Sequence, residues 1–174
     1  MTVLSDEAIL SAIDLGELEI EPFNADNLTP NGYDLTIDEI EIPQKSKVSK
    51  GSLNIPAGAR FAISTKERIS CGANLCAQLW LRTSWARKGI ACSFGKIDSG
   101  FDGTLTLLGF NSSDEDVSIS VGTTFAQVVF EMLSGPARSL YSERSGNYQN
   151  QKGVTWSKQD NPPIQRNPEN HPHP

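Results

Sequence analysis

Two arginines and two hydroxyls, Arg82, Thr83, Ser84 and Arg87, fall within one short stretch of the chain. A guanidinium fork bonds two phosphate oxygens at once, and neighbouring hydroxyls add further donors. Asp98 follows eleven residues after Arg87 and opens the glycine-spaced turn Ser99-Gly100-Phe101-Asp102-Gly103. A carboxylate on a tight turn beside a phosphate cradle suits holding a sugar hydroxyl or orienting a water. The same residues also read as a polar strand, a loop and a hairpin, since no one of these signals is specific. Asp34 lies inside the alternating run Tyr33-Asp34-Leu35-Thr36-Ile37. It reads either as a polar-face acid near a turn or as a buried, paired carboxylate close to a ligand.

Other chemistries are excluded by what is scarce. The only histidines are His171 and His173, in a tail rich in Pro and Asn, so Ser-His-Asp and Cys-His mechanisms lack their base in the folded part. Cys71 and Cys76 are five apart with no partner pair, and no Pro-Cys-x-x-Cys set for a zinc deaminase exists. The three cysteines read as small buried side chains, and an odd count without a secretion signal fits reduced cytosolic thiols. A net charge of −6 with no basic block argues against nucleic-acid binding through a broad basic face. No run approaches the ~18 apolar residues of a membrane span. The expected location is the cytoplasm.

The elements that must position these residues are mostly strands. The chain's 174 residues, 37% hydrophobic, suit one domain. Ser5-Asp6-Glu7 followed by Ala8, Ile9, Ala12 and Ile13 predicts a capped helix closed by Gly16. Strands are expected at 18–21, 31–37 and on to 42, up to Ile63 after a turn at 55–60, and at 75–81, 103–110, 117–119 and 124–131. A polar loop is expected at 45–52. Short strands punctuated by turns predict a mainly β fold, a jelly roll or sandwich, with one short helix in front. Residues 1–158 form the expected domain, including a C-terminal arm from about 134 to 158. Residues 159–174, with five prolines from Pro162 to Pro174, have the composition of a disordered tail.

In this order the motifs resemble the superfamily of deoxyuridine triphosphatases and deoxycytidine triphosphate deaminases, over roughly residues 4–158. Asn31-Gly32-Tyr33-Asp34-Leu35 looks like its first motif, Arg82-Thr83-Ser84-Trp85-Ala86-Arg87 like the second, and Gly95-Lys96-Ile97-Asp98 through Gly103 like the third. Gly122 to Gln127 resembles the fourth, and Ser134-Gly135-Pro136-Ala137 with Tyr148-Gln149-Asn150-Gln151-Lys152-Gly153 is similar to the deaminase arm. The resemblance implies a jelly-roll or distorted β-barrel subunit, a homotrimer with sites between subunits, and Mg²⁺ carried on the triphosphate rather than in a protein cage.

Within that superfamily the branches differ in chemistry. Deaminases carry a proton-shuttling glutamate in a pattern like Thr-Leu-Glu-x-x-Asn, and here Thr106-Leu107-Leu108-Gly109-Phe110-Asn111 puts Leu108 in its place. The eight residues from Ile90 to Ile97 match the triphosphatase spacing, shorter than that of the deaminases. The resemblance therefore implies hydrolysis of dUTP to dUMP and pyrophosphate, with Asp98 holding the 3′-hydroxyl and activating the water. Phe101, Thr106 and Leu107 would meet sugar and base. Arg82, Thr83, Ser84, Arg87, Gln127, Tyr141 and Gln151 would hold the nucleotide and its phosphates. dCTP deamination and nucleotide binding without turnover stand as alternatives. The expected partners are a deoxynucleoside triphosphate and two further copies of the chain, with no nucleic acid and no membrane.

Overall fold

The computed structural model describes residues 2–157, and the expected tail lies outside the described residues. The chain begins with β1 (Thr2–Val3) and α1 (Asp6–Asp14). The Ser5 hydroxyl accepts a hydrogen bond from the Ala8 amide at 3.3 Å, and Asp6 and Glu7 occupy the positive end of the helix. Ile9 and Ala12 face the core. Gly16, at φ +70°, follows the last turn, as expected.

Next come β2 (Leu18–Glu21), β3 (Leu28–Thr29) and the long β4 (Gly32–Ile42). β5 (Ser46–Val48) lies within the stretch 45–52 expected to be a polar loop, and β6 (Ser52–Ile55) begins at its end. β5 is a polar strand with one neighbour, its backbone pairing back onto the end of β4 with Val48 opposite Ile40. Such a strand needs few apolar side chains, which is why alternation did not reveal it. β7 (Arg60–Cys71), β8 (Leu75–Leu81), the single-turn α2 (Thr83–Ala86), β9 (Ile90–Cys92) and β10 (Lys96–Ile97) follow. β11 (Asp102–Asn111), β12 (Val117–Ser120), β13 (Thr124–Met132) and the short α3 (Tyr141–Arg144) complete the order.

The main sheet runs β10-β8-β13-β4-β7-β11-β9, antiparallel throughout, and β6 pairs with β12 separately. The result is the expected mainly β subunit, a curled antiparallel half-barrel. β4 joins the two halves. Its residues 33–36 pair with β13, and from Ile37 onward it pairs with β7. At the changeover the Thr36 amide donates to the Glu67 carboxylate at 2.8 Å. Glu67 is buried, and burial pushes its carboxyl up from the ordinary range against the pull of that hydrogen bond. Tyr33, Phe61, Phe125 and Phe130 fill the core. Phe61 meets Phe125 edge to face at 6.1 Å, and a Cβ at Gly109 would come within 2.3 Å of the Phe61 ring. Among the described residues no helix is long and apolar enough to cross a membrane.

Candidate active site

The Asp98 turn is built from the bottom of β8. β10 pairs with β8, Ile97 opposite Ala77 and Lys96 opposite Gln78. Ile97 is buried, so the alternation of an extended chain sends Lys96 and Asp98 outward. The Phe101 amide donates to the Asp98 carbonyl at 3.1 Å, closing a four-residue turn. Gly100, the third residue, carries φ +80°, as a type II turn demands, and a Cβ there would come within 2.5 Å of the Leu140 side chain. Ser99 donates from its hydroxyl to the Leu75 carbonyl at 2.6 Å, and the Gly100 amide donates to Cys71 at 2.8 Å. The turn is therefore fastened, and the Asp98 side chain is left exposed on it.

Asp98, Phe101, Thr106, Leu107, Tyr141 and Gln151 line one cavity of about 320 Å³. Six of the residues singled out in the sequence thus converge. Phe101 meets Tyr141 at 5.6 Å and 66°. Tyr141 is fixed by its amide on the Ser99 carbonyl at 2.8 Å, and its hydroxyl accepts from the Tyr148 amide at 3.0 Å. Leu108 lines the same cavity, 48% exposed. Among the described residues Asp98 is the only carboxylate lining the cavity.

The C-terminal arm covers this cavity from the same chain. Its amides and carbonyls run along the outward face of β11. The Thr104 amide donates to the Gln151 carbonyl at 3.1 Å, Gln151 Nε2 donates to the Thr104 carbonyl at 2.7 Å, and the Thr155 amide donates to Thr106 Oγ1 at 3.0 Å. Two carboxylates of β4 hold the far end: Glu39 accepts from the Val154 amide at 3.1 Å and Glu41 from the Trp156 indole at 2.6 Å. The Gln151 amide is thus engaged in docking the arm, and its Oε1 is buried without a hydrogen bond from any described residue. Glu39, Glu41, Thr104 and Trp156 were not singled out as site residues. The Glu39-Ile40-Glu41-Ile42 alternation could have placed both acids on one face of β4, but nothing in it points to the arm.

Arg82, Thr83, Ser84, Arg87 and Gln127 lie elsewhere. The register of β10 on β8 sets Asp98 level with Cys76, and Arg82 stands six residues further along β8, roughly 20 Å away at the strand rise of about 3.3 Å per residue. A single chain therefore does not place the arginines beside the carboxylate, although they are close in sequence. Thr83, Ser84 and Arg87 are exposed around α2. Arg82 Nε lies 3.1 Å from Asp34 Oδ2, and its guanidinium also donates to the Thr124 hydroxyl. This favours the paired reading of Asp34. Burial pushes its carboxyl up, and the Arg82 charge opposes that. Gln127 is paired across the sheet with Asp34 on one side and Trp80 on the other, and its Nε2 donates to Thr29 Oγ1 at 2.9 Å.

Burial pushes the Cys71 and Cys92 thiols up to about 12, so neither is a thiolate nucleophile near neutrality. Among the described residues no three His, Cys, Asp or Glu side chains come together as metal ligands.

The family model described as dCTP deaminase-like matches residues 38–133. The dCTP deaminase of Thermococcus kodakarensis is 38% identical over 146 residues, spanning 82% of this chain and 92% of that protein. The chain belongs to the dCTP deaminase-like family. A second relative, named a probable deoxyuridine 5′-triphosphate nucleotidohydrolase, comes from Sulfolobus islandicus rod-shaped virus 1. It is 32% identical over 161 residues, 91% of this chain and 99% of that protein. Among solved structures, the 2′-deoxycytidine 5′-triphosphate deaminase of Agrobacterium tumefaciens superposes with a TM-score of 0.64 at 18% identity, covering 75% of this chain and 48% of that one. The EIAV dUTPase superposes with a TM-score of 0.52 at 20% identity, covering 70% and 93%. The family and the fold are those the motifs implied. The relatives' names favour deamination over the dUTP hydrolysis expected from Leu108 and Asp98.

Proposed function

We propose that the protein hydrolyses dUTP to dUMP and pyrophosphate. The observation that carries this reading is Leu108 on the cavity wall, which leaves Asp98 as the lone carboxylate among the described lining residues. Deamination needs a group that takes a proton from water and delivers one to the departing amine. A leucine does neither. Hydrolysis needs only a positioned water and one base. Asp98 accepts the water proton as its oxygen attacks the α-phosphorus, the bond to the bridging oxygen breaks, and pyrophosphate leaves. The sugar ring rests against Phe101, and the arm over the cavity excludes bulk water.

The phosphates need cations that the Asp98 cavity largely lacks. In this reading Arg82, Thr83, Ser84, Arg87 and Gln127 of a second copy supply them, in a homotrimer whose sites lie between subunits. Two features support such packing: the ~20 Å separation of the two groups along β8, and Trp80, 58% exposed on the strand between them. The ion pair with Asp34 holds Arg82 in a fixed orientation for that role. Mg²⁺ would enter on the triphosphate, coordinated by phosphate oxygens and water, and supplies charge neutralisation there.

The second reading, deamination of dCTP, rests on the names of the relatives at 34–38% identity. Incubation with dUTP or dCTP in Mg²⁺, with pyrophosphate and ammonia resolved separately, decides between them. Pyrophosphate from dUTP and no ammonia from dCTP is expected. Ammonia from dCTP without pyrophosphate from dUTP establishes deamination, and binding without either product makes the protein a nucleotide-binding protein only.

A further inference from the structure

We infer that Lys96 is a phosphate-contacting residue that holds the α-phosphate of the nucleotide beside Asp98, an inference resting on the deoxynucleotide reading of the cavity. Lys96 and Asp98 are two residues apart on an extended segment, with buried Ile97 between them, so both side chains leave the sheet on one face. Among the described residues Lys96 is the only lysine or arginine lining the Asp98 cavity. It also lines an adjoining cavity of about 490 Å³, bordered by Gln78, Trp80, Cys92 and Phe94. The lysine therefore stands where the two spaces meet.

On the deoxynucleotide reading the α-phosphate lies at that junction. The α-phosphate is bonded to the sugar, so a sugar held by Asp98 and Phe101 carries its phosphate to the edge of the first cavity. The chain's own arginine cluster is roughly 20 Å away along β8 and cannot reach it. Among the described residues Lys96 forms no ion pair with a carboxylate. Burial pushes the Cys76 thiol up, and the charge of Lys96 together with a hydrogen bond from it pulls the thiol back. An ammonium on a flexible stem, with three rotatable donors, suits a phosphate oxygen whose position shifts as the bond to pyrophosphate breaks. In this role Lys96 contacts phosphate and transfers no proton; Asp98 remains the base.

The test measures deoxyuridine and dUMP affinities by calorimetry on the full chain, for the unaltered protein, Lys96→Gln and Lys96→Arg. Loss of a charge-assisted contact predicts that Lys96→Gln weakens dUMP binding about tenfold or more. Deoxyuridine, with no phosphate, should bind Lys96→Gln within about twofold of the unaltered protein, and Lys96→Arg should recover most of the dUMP affinity. Unchanged dUMP binding by Lys96→Gln overturns the inference and leaves Lys96 a solvated surface lysine. Equal losses for both ligands also overturn it, since they report a disturbed turn rather than a lost phosphate contact. If the unaltered protein binds neither ligand, the deoxynucleotide reading fails and this inference falls with it.

Discussion

Replacing Trp156 by phenylalanine keeps an aromatic ring on the arm and deletes one donor, the indole N–H that reaches Glu41 at 2.6 Å. Hydrogen bonds to charged groups contribute about 1.5–3 kcal/mol net. Glu41 is only half-buried, so water replaces the lost donor and the low end of that range applies, about 1.5 kcal/mol. That is a factor of about ten in the equilibrium between docked and open arm. The remaining contacts, Val154 on Glu39, Thr155 on Thr106 and Gln151 on Thr104, stay in place. The change should therefore be local. Amide hydrogen exchange is the direct assay: exchange at Val154 and Thr155 should quicken about tenfold, while amides of β4 and β7 keep their rates. Glu41→Gln, which keeps an acceptor but loses the charge, should give a smaller effect. If arm exchange does not change in Trp156→Phe, the indole contact does not hold the arm. If β4 exchange rises equally, the contact belongs to global stability, and the arm is not a separately opening unit.

Three further outcomes follow from other contacts. Asp98→Asn should lower dUTP turnover by about 10²–10⁴-fold with nucleotide binding largely kept, because an amide cannot take the water proton; near-normal turnover makes Asp98 a turn residue only. Glu67 has its carboxyl raised by burial, so its contribution to stability is full below the unfolded value near 4.3 and is lost as pH rises toward the folded value. Glu67→Gln keeps an acceptor for the Thr36 amide without the charge, so its melting temperature relative to the parent should climb between pH 4 and 7, and a pH-independent difference counts against this account. Gly109→Ala would press a methyl into the Phe61 ring and should cost about 1–3 kcal/mol in urea unfolding; an unchanged midpoint means the ring moves aside freely.

What could be read from the sequence was what local chemistry encodes. The Ser5 cap, the apolar run of Leu75–Leu81, the alternation of Asp102–Asn111, and the glycine at the third position of the Asp98 turn each have a short-range physical cause. β5 was hidden because a polar strand pairs through its backbone. The arm itself was expected at about 134–158, but its docking was hidden for the same reason: it uses amides, carbonyls and threonine hydroxyls, whose partners no side-chain pattern names. The separation of Arg82 from Asp98 was hidden by connectivity. The chain leaves β8 at Arg82, passes through α2 and β9, and returns as β10 beside the start of the same strand. Nearness in sequence became distance along a strand.

The outward face of β11 links the docking of the arm to the choice of chemistry. Thr104, Thr106, Leu108 and Phe110 follow one another on that face, with Leu105 and Leu107 buried between them. The two threonines fasten the arm through Gln151 and Thr155. The residue at 108 takes no part in any of those hydrogen bonds, yet its side chain lines the cavity that holds Asp98. A carboxylate at that position would stand in the same cavity as Asp98, where like charge and partial burial favour a protonated acid able to shuttle a proton. A leucine leaves the docking untouched and removes the shuttle. On the hydrolase reading, the residue at this one position thus decides whether the strand carries a proton shuttle, while the threonine row holds the arm and the half-barrel holds the Asp98 turn.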